Sequence, residues 1–118
     1  MRNHNHNRKF GRKTNVRRAF MRSLARALVM EGRIMTTEPR AKELRPYIEK
    51  MITRAKSGNA ITNVRILASD MGGQLDVAQK LIRDISPKYV DRTGGYTRIL
   101  KIPARASDGA PMALIEFI

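Results

Sequence analysis

The stretch TRILKIPARASDGAPMALIEFI, residues 97–118, separates this chain from an all-helical protein. Thr97 to Ile102 and Met112 to Ile118 are rich in Ile, Leu and other residues that suit a pleated, half-buried surface. Pro103 to Pro111 lies between them, with Asp108-Gly109 as a turn pair. The stretch predicts a β-hairpin with a long loop. Upstream, only Ile34-Met35-Thr36-Thr37 has a similar texture, and it reads as a short strand. Elsewhere apolar residues recur at helical spacing. The expected fold is therefore α+β, with about four helices packed on a small, mostly C-terminal sheet of about three strands.

The helices can be placed from that spacing. Thr14 or Asn15 caps the first, which runs to about Glu31 and is stopped by Gly32. Val16, Phe20, Leu24, Ala27 and Leu28 are expected on its core face, with Arg18, Arg22 and Arg26, four residues apart, on the opposite one. Thr37 is the expected cap of a second helix, followed by Glu38-Pro39. Ala41, Leu44, Ile48, Met51, Ile52 and Ala55 form its apolar stripe. Pro46 withholds one backbone bond inside it and should bend it near Lys42 to Pro46, and Ser57-Gly58-Asn59 ends it. A third helix spans roughly Ala60 to Ser69, with Ile61, Val64, Leu67 and Ala68 inward. After Gly72-Gly73, a fourth covers about Gln74 to Ile85 and turns Val77, Ala78, Leu81, Ile82 and Ile85 to the core. Ser86-Pro87 closes it. Aromatic residues are scarce, so Met30, Met35, Met51 and Met71 read as core gap-fillers.

Charge is distributed unevenly. The 118 residues hold 24 Lys and Arg against ten Asp and Glu, a net charge of +14. The first thirty residues carry nine of those bases and no acid: Arg2, Arg8, Lys9, Arg12, Lys13, Arg17, Arg18, Arg22 and Arg26. Residues 1–13 also lack any apolar period, and they read as a basic N-terminal extension to a single domain over 14–118. Such a segment gains little by folding alone. Against a phosphate backbone it releases condensed counterions, which drives binding. A solvated tail would explain the extension but not the continuation of its charge as the Arg18, Arg22, Arg26 stripe. The partner class is nucleic acid.

Other chemistries find little support. With no Cys there are no disulfides, thiolate zinc sites or cysteine nucleophiles. No run of about 18 apolar residues suggests a membrane span, and no apolar stretch follows the basic start as a secretory signal requires. His4 and His6 are two ligands without a third or fourth, so they read as polar residues of the extension, and no metal is expected. The acids are scattered and no phosphate-binding loop occurs. Neither an enzyme nor a cofactor is expected.

Arg92-Thr93-Gly94-Gly95-Tyr96-Thr97-Arg98 is the second concentration of signal. Paired glycines permit close backbone approach. Tyr96 suits stacking on a base or ribose, and Arg92, Arg98 and Lys101 suit phosphates. The plainer reading is a Gly-rich turn entering a strand, with Tyr96 as a core aromatic; the surrounding bases favour contact. Arg105 in the hairpin loop either pairs with Asp108 or points outward to RNA.

Gly94-Gly95-Tyr96-Thr97-Arg98-Ile99-Leu100-Lys101 resembles a signature of the bacterial ribosomal large-subunit protein number seventeen family. Phe10-Gly11-Arg12 with Arg17 to Leu28 is similar to the family's basic entry helix. Thr36-Thr37-Glu38 through Arg45-Pro46, Glu49 to Thr53, and Ala110-Pro111-Met112-Ala113 with Ile115-Glu116 resemble further segments in the same order. The chain departs from the family's pattern at Asn3 to Asn7, at Val16 where His is common, and at Ser107 where Gly is usual. The resemblance implies an α+β protein bound to large-subunit rRNA near the exit of the nascent-chain tunnel, beside other large-subunit proteins. It implies a structural role without catalysis, small-molecule substrate or membrane, and with no homo-oligomer. The implied place is a bacterial-type ribosome in the cytoplasm, and an organellar ribosome of that type also fits. A free nucleic-acid chaperone or nucleoid-type DNA binder shares the charge argument but not the ordered segments. A membrane-surface binder would use the first helix, whose apolar face is dominated by small Ala.

Overall fold

A computed structural model of the chain describes residues 14–56, 58 and 61–118. The basic extension, with Arg2, Arg8, Lys9, Arg12, Lys13 and both histidines, lies outside the described residues, as do Ser57, Asn59 and Ala60, the expected start of the third helix. Helix α1 spans Thr14–Glu31, strand β1 Arg33–Thr37, α2 Glu38–Ala55, α3 Ile61–Asp70 and α4 Leu75–Lys80. Strands β2, Thr97–Ile102, and β3, Met112–Phe117, complete the α+β fold.

The hairpin forms as its sequence predicts. Thr97 pairs with Phe117 and Ile102 with Met112, antiparallel. β1 joins the far side of β3, so the sheet order is β1-β3-β2, with the last strand in the centre. Alternation then sorts the side chains. Thr36, Thr97, Ala113 and Ile115 are buried on the face that meets the helices.

Helix α2 is the spine of the core. Its predicted stripe, Ala41, Leu44, Ile48, Met51, Ile52 and Ala55, is buried along the whole helix. It packs against α1, α3 and all three strands. Pro46 lies on its exposed side, as does Lys42, whose carbonyl loses its helical partner to the proline. Thr37 occupies the cap position with extended backbone, but its hydroxyl makes no cap bond. Instead the Glu38 amide donates to the Pro111 carbonyl at 2.9 Å, which stitches the start of α2 to the hairpin.

Several expectations need correction. In α1 the buried residues are Ala25, Leu28 and Val29, with Met21 and Leu24 packed beside them, while Val16 is 48% exposed. The core stripe is therefore rotated, and the arginine row runs along its flank. In α3, Ile61 is exposed and Leu67 carries the burial. The fourth helix does bury Val77, Ala78, Leu81, Ile82 and Ile85, but not as one regular helix. After Lys80 it widens into a π-helical turn over Leu81–Ile85, then tightens into a 3₁₀ turn over Ser86–Tyr89. Ser86 does not close it. Its hydroxyl donates to the Ile82 carbonyl at 3.1 Å, and Pro87 sits in a first turn where a missing amide costs nothing. Of the methionines, Met51 and Met71 are buried and Met30 is packed against the core, but Met35 is 66% exposed.

Candidate nucleic-acid interface

The arginine row of α1 reaches α2 and the ends of α3 and α4. One depression lies between α1 and α2, walled by Arg17, Arg18, Glu43 and Lys50. A second is walled by Arg18, Arg22, Lys50, Arg54 and Asp70. A third opens between α2 and the loop before β2, where Lys50 and Arg54 meet Asn63, Thr93 and Gly94. Lys50 borders all three, so they form one basic groove. Thr14, at the end where the acid-free extension joins the fold, borders the first.

Acids in the groove are largely engaged. Glu49 pairs with Arg45 at 3.5 Å and accepts from the Thr97 hydroxyl at 2.9 Å. Asp70 lies 4.0 Å from Arg54. Arg18 and Lys50 are exposed and form no ion pair among the described residues. Lys50 and Arg54 were absent from the sequence-derived candidates, although their four-residue spacing on α2 is the signal that singled out the α1 row.

The other candidates divide by what they touch. Arg22 donates to the Asp70 carbonyl at 3.2 Å and lies against the turn at Gly72, so it both lines the groove and ties α1 to α3. A Cβ at Gly72 would stand 3.2 Å from the Arg22 side chain, and the glycine's φ of +72° would strain any other residue. Tyr47 donates to the same Asp70 carbonyl, and burial raises its phenol above the ordinary value despite nearby Arg22. Arg26 reaches Gln74 and grips Asp76 with two nitrogens, at 3.0 and 3.2 Å. Those hydrogen bonds hold the Asp76 carboxyl below the usual range. Arg26 therefore serves the α1–α4 joint more than the groove.

Tyr96 corrects the stacking expectation. Its ring is fully buried, 5.2 Å from the Tyr89 ring, and offers no face to a base. Its hydroxyl meets Thr53, Lys56 and the Arg92 carbonyl. It is a core aromatic that anchors the loop carrying Arg92, whose Nε caps the Gly94 carbonyl at 3.1 Å. Gly95, at φ +64°, makes the turn that sends Tyr96 inward. Arg98, Lys101 and Arg105 are not gathered into the groove. Arg98 pairs with Glu116 on the sheet, Lys101 lies 4.0 Å from Glu38, and Arg105 makes two 3.0 Å bonds to Asp108. The open alternative for Arg105 resolves to local pairing.

Among the described residues no cluster of His, Asp or Glu is suited to a metal, and no helix is long and apolar enough to cross a membrane. The profile of the family described as ribosomal protein L17 matches residues 20–118. The large ribosomal subunit protein bL17 of Shouchella clausii is 48% identical over 116 residues, covering 93% of this chain and 97% of that protein. The protein of the same name from Campylobacter lari is 43% identical over 118 residues, covering 100% of this chain and 99% of its own.

Proposed function

The chain belongs to the ribosomal protein L17 family, and on that premise we propose that it is a structural, rRNA-binding constituent of the large ribosomal subunit. The observation that carries the RNA-binding part is the groove in which Arg17, Arg18, Arg22, Lys50 and Arg54 converge from two helices. Cations fixed on rigid helices contact phosphates at known spacing, which positions a protein on a folded RNA without reading its sequence. The acid-free extension continues that charge beyond Thr14. Arg92 braces the loop whose Thr93 and Gly94 border the groove, through its bond to the Gly94 carbonyl. Arg98, Lys101 and Arg105 act chiefly in holding the sheet and hairpin.

A place near the exit of the nascent-chain tunnel rests on the family resemblance alone. So does work in a bacterial cytoplasmic ribosome, beside other large-subunit proteins and without catalysis. The test is co-sedimentation of the tagged chain with large subunits through a high-salt gradient. Retention in the subunit fraction supports the reading. Release into the free fraction, with recovery on DNA, would instead support a free nucleic-acid binder.

A further inference from the structure

The sheet turns one face to the helices and leaves the other open. Register lines up three rows across that open face: Arg33–Glu116–Arg98, Met35–Leu114–Leu100 and Thr37–Met112–Ile102. The middle row is wholly apolar, and Met35 and Leu100 are 66% and 45% exposed. With strands about 4.8 Å apart, the row spans about 10 Å. Met112 and Ile102 extend it toward the hairpin loop. A sheet with one solvated face ordinarily carries polar residues there. A contiguous apolar patch with a charged border marks an interaction site.

The border selects the occupant. Glu116 is largely covered and is taken by Arg98. Arg33, across from it, is exposed and makes no ion pair among the described residues. The row thus holds two guanidinium groups against one carboxylate, and the spare positive charge sits at the edge of the apolar strip. RNA suits this face poorly. It has no aromatic for a base to stack on, and it sets a carboxylate between its arginines. A second copy would bring the same surplus charge to meet itself, on chains of net charge +14.

We propose that the open face centred on Met35, Leu114 and Leu100 docks an amphipathic segment of a neighbouring large-subunit protein, apolar where it meets the sheet and acidic where it meets Arg33. The proposal rests on the ribosomal reading above. The occupant buries the aliphatic row, which supplies the association, and its carboxylate over Arg33 sets the orientation.

The test places the photoreactive residue p-benzoylphenylalanine at Leu100 and, separately, at Met35 in the full chain expressed in cells. Large subunits are isolated through a high-salt gradient, irradiated, and the adduct is sequenced. The expected result is incorporation of both variants and an adduct from each to one segment of another ribosomal protein, apolar with Asp or Glu close by. Arg33→Glu should then lower the adduct yield severalfold in subunits that still contain the chain. Adducts to rRNA, to a second copy or to a protein segment without acids would overturn the proposal, as would incorporation without any adduct from either position. Exclusion of both variants, with wild-type chain also absent from the subunits, would overturn the ribosomal reading itself.

Discussion

The Lys56 ammonium lies 2.9 Å from the Tyr96 hydroxyl and 5.1 Å from the centre of its ring. The same ammonium donates to the Arg92 carbonyl. One lysine at the end of α2 therefore clasps the loop that leads from the groove into β2. Burial of the ring pushes the Tyr96 phenol up, but hydrogen bonding from Lys56 and then Thr53 outweighs it and draws the phenol below its ordinary value.

Tyrosine titration followed by ultraviolet absorbance should resolve this clasp. Burial raises Tyr47 and Tyr89, whereas Tyr96 is lowered. One of the three tyrosines should then ionise below about 10, the ordinary phenol value, ahead of the other two. A phenol lowered on folding stabilises the fold increasingly as pH rises through its folded value. Lys56→Met should move this first step upward and speed amide exchange across residues 92–96. An unchanged first step would show that Lys56 does not set it.

Asp76 provides a second pH-dependent contact. Hydrogen bonds from Arg26 hold its carboxyl low. A carboxyl lowered on folding contributes stability at neutral pH that is lost as pH falls through the folded value, below about 4. Carboxyl-detected NMR should place the Asp76 midpoint under that of an unstructured aspartate. Arg26→Gln should return it toward the ordinary value. A midpoint unaffected by that substitution would contradict the contact.

Core and groove should separate cleanly by mutation. Leu81 is fully buried in the π-helical turn. Leu81→Ala should cost about 2–5 kcal/mol by leaving a cavity, read as a lower melting midpoint in circular dichroism, with RNA affinity at low temperature little changed. A loss under about 1 kcal/mol would mean that the turn collapses around the vacancy.

Charge reversal on the groove should do the opposite. Arg18→Glu with Lys50→Glu should abolish stable incorporation into large subunits while the melt stays close to wild type, because both side chains are exposed and neither holds an ion pair among the described residues. Arg22 is the poorer choice, since it also bonds the Asp70 carbonyl. Intact incorporation of the double variant would remove the groove from the interface.

Local spacing made most of the fold legible. The α2 stripe and the five inward residues of α4 and the π-helical turn after it repeat at three and four, and all are buried. The hairpin follows from strand-forming residues on either side of Asp108-Gly109. What failed was decided over long range. Val16 and Phe20 are bulkier than Ala25, yet the partners of α1 lie toward its C-terminal half, so small Ala25 is buried and Val16 is not. Phe20 instead carries Arg40 over its ring at 4.9 Å. Tyr96 was ambiguous because the groups that hold its hydroxyl, Thr53 and Lys56, are some forty residues away in sequence. Met35 looked like core because a five-residue strand is too short for alternation to show which face is covered. Lys50 and Arg54 gain their meaning only from the packing of α1 on α2, which sets them beside Arg18 and Arg22.

Phosphate contacts from the groove should carry most of the RNA affinity. The salt dependence of the chain's affinity for large-subunit rRNA reads them out, measured for wild type and for Arg18→Gln with Lys50→Gln. If four to six cations engage, log affinity against log salt should fall with a slope of about −3 to −5. Removing two groove cations should flatten the slope by about 2. A wild-type slope near zero, or an equally steep slope in the double variant, would contradict the account.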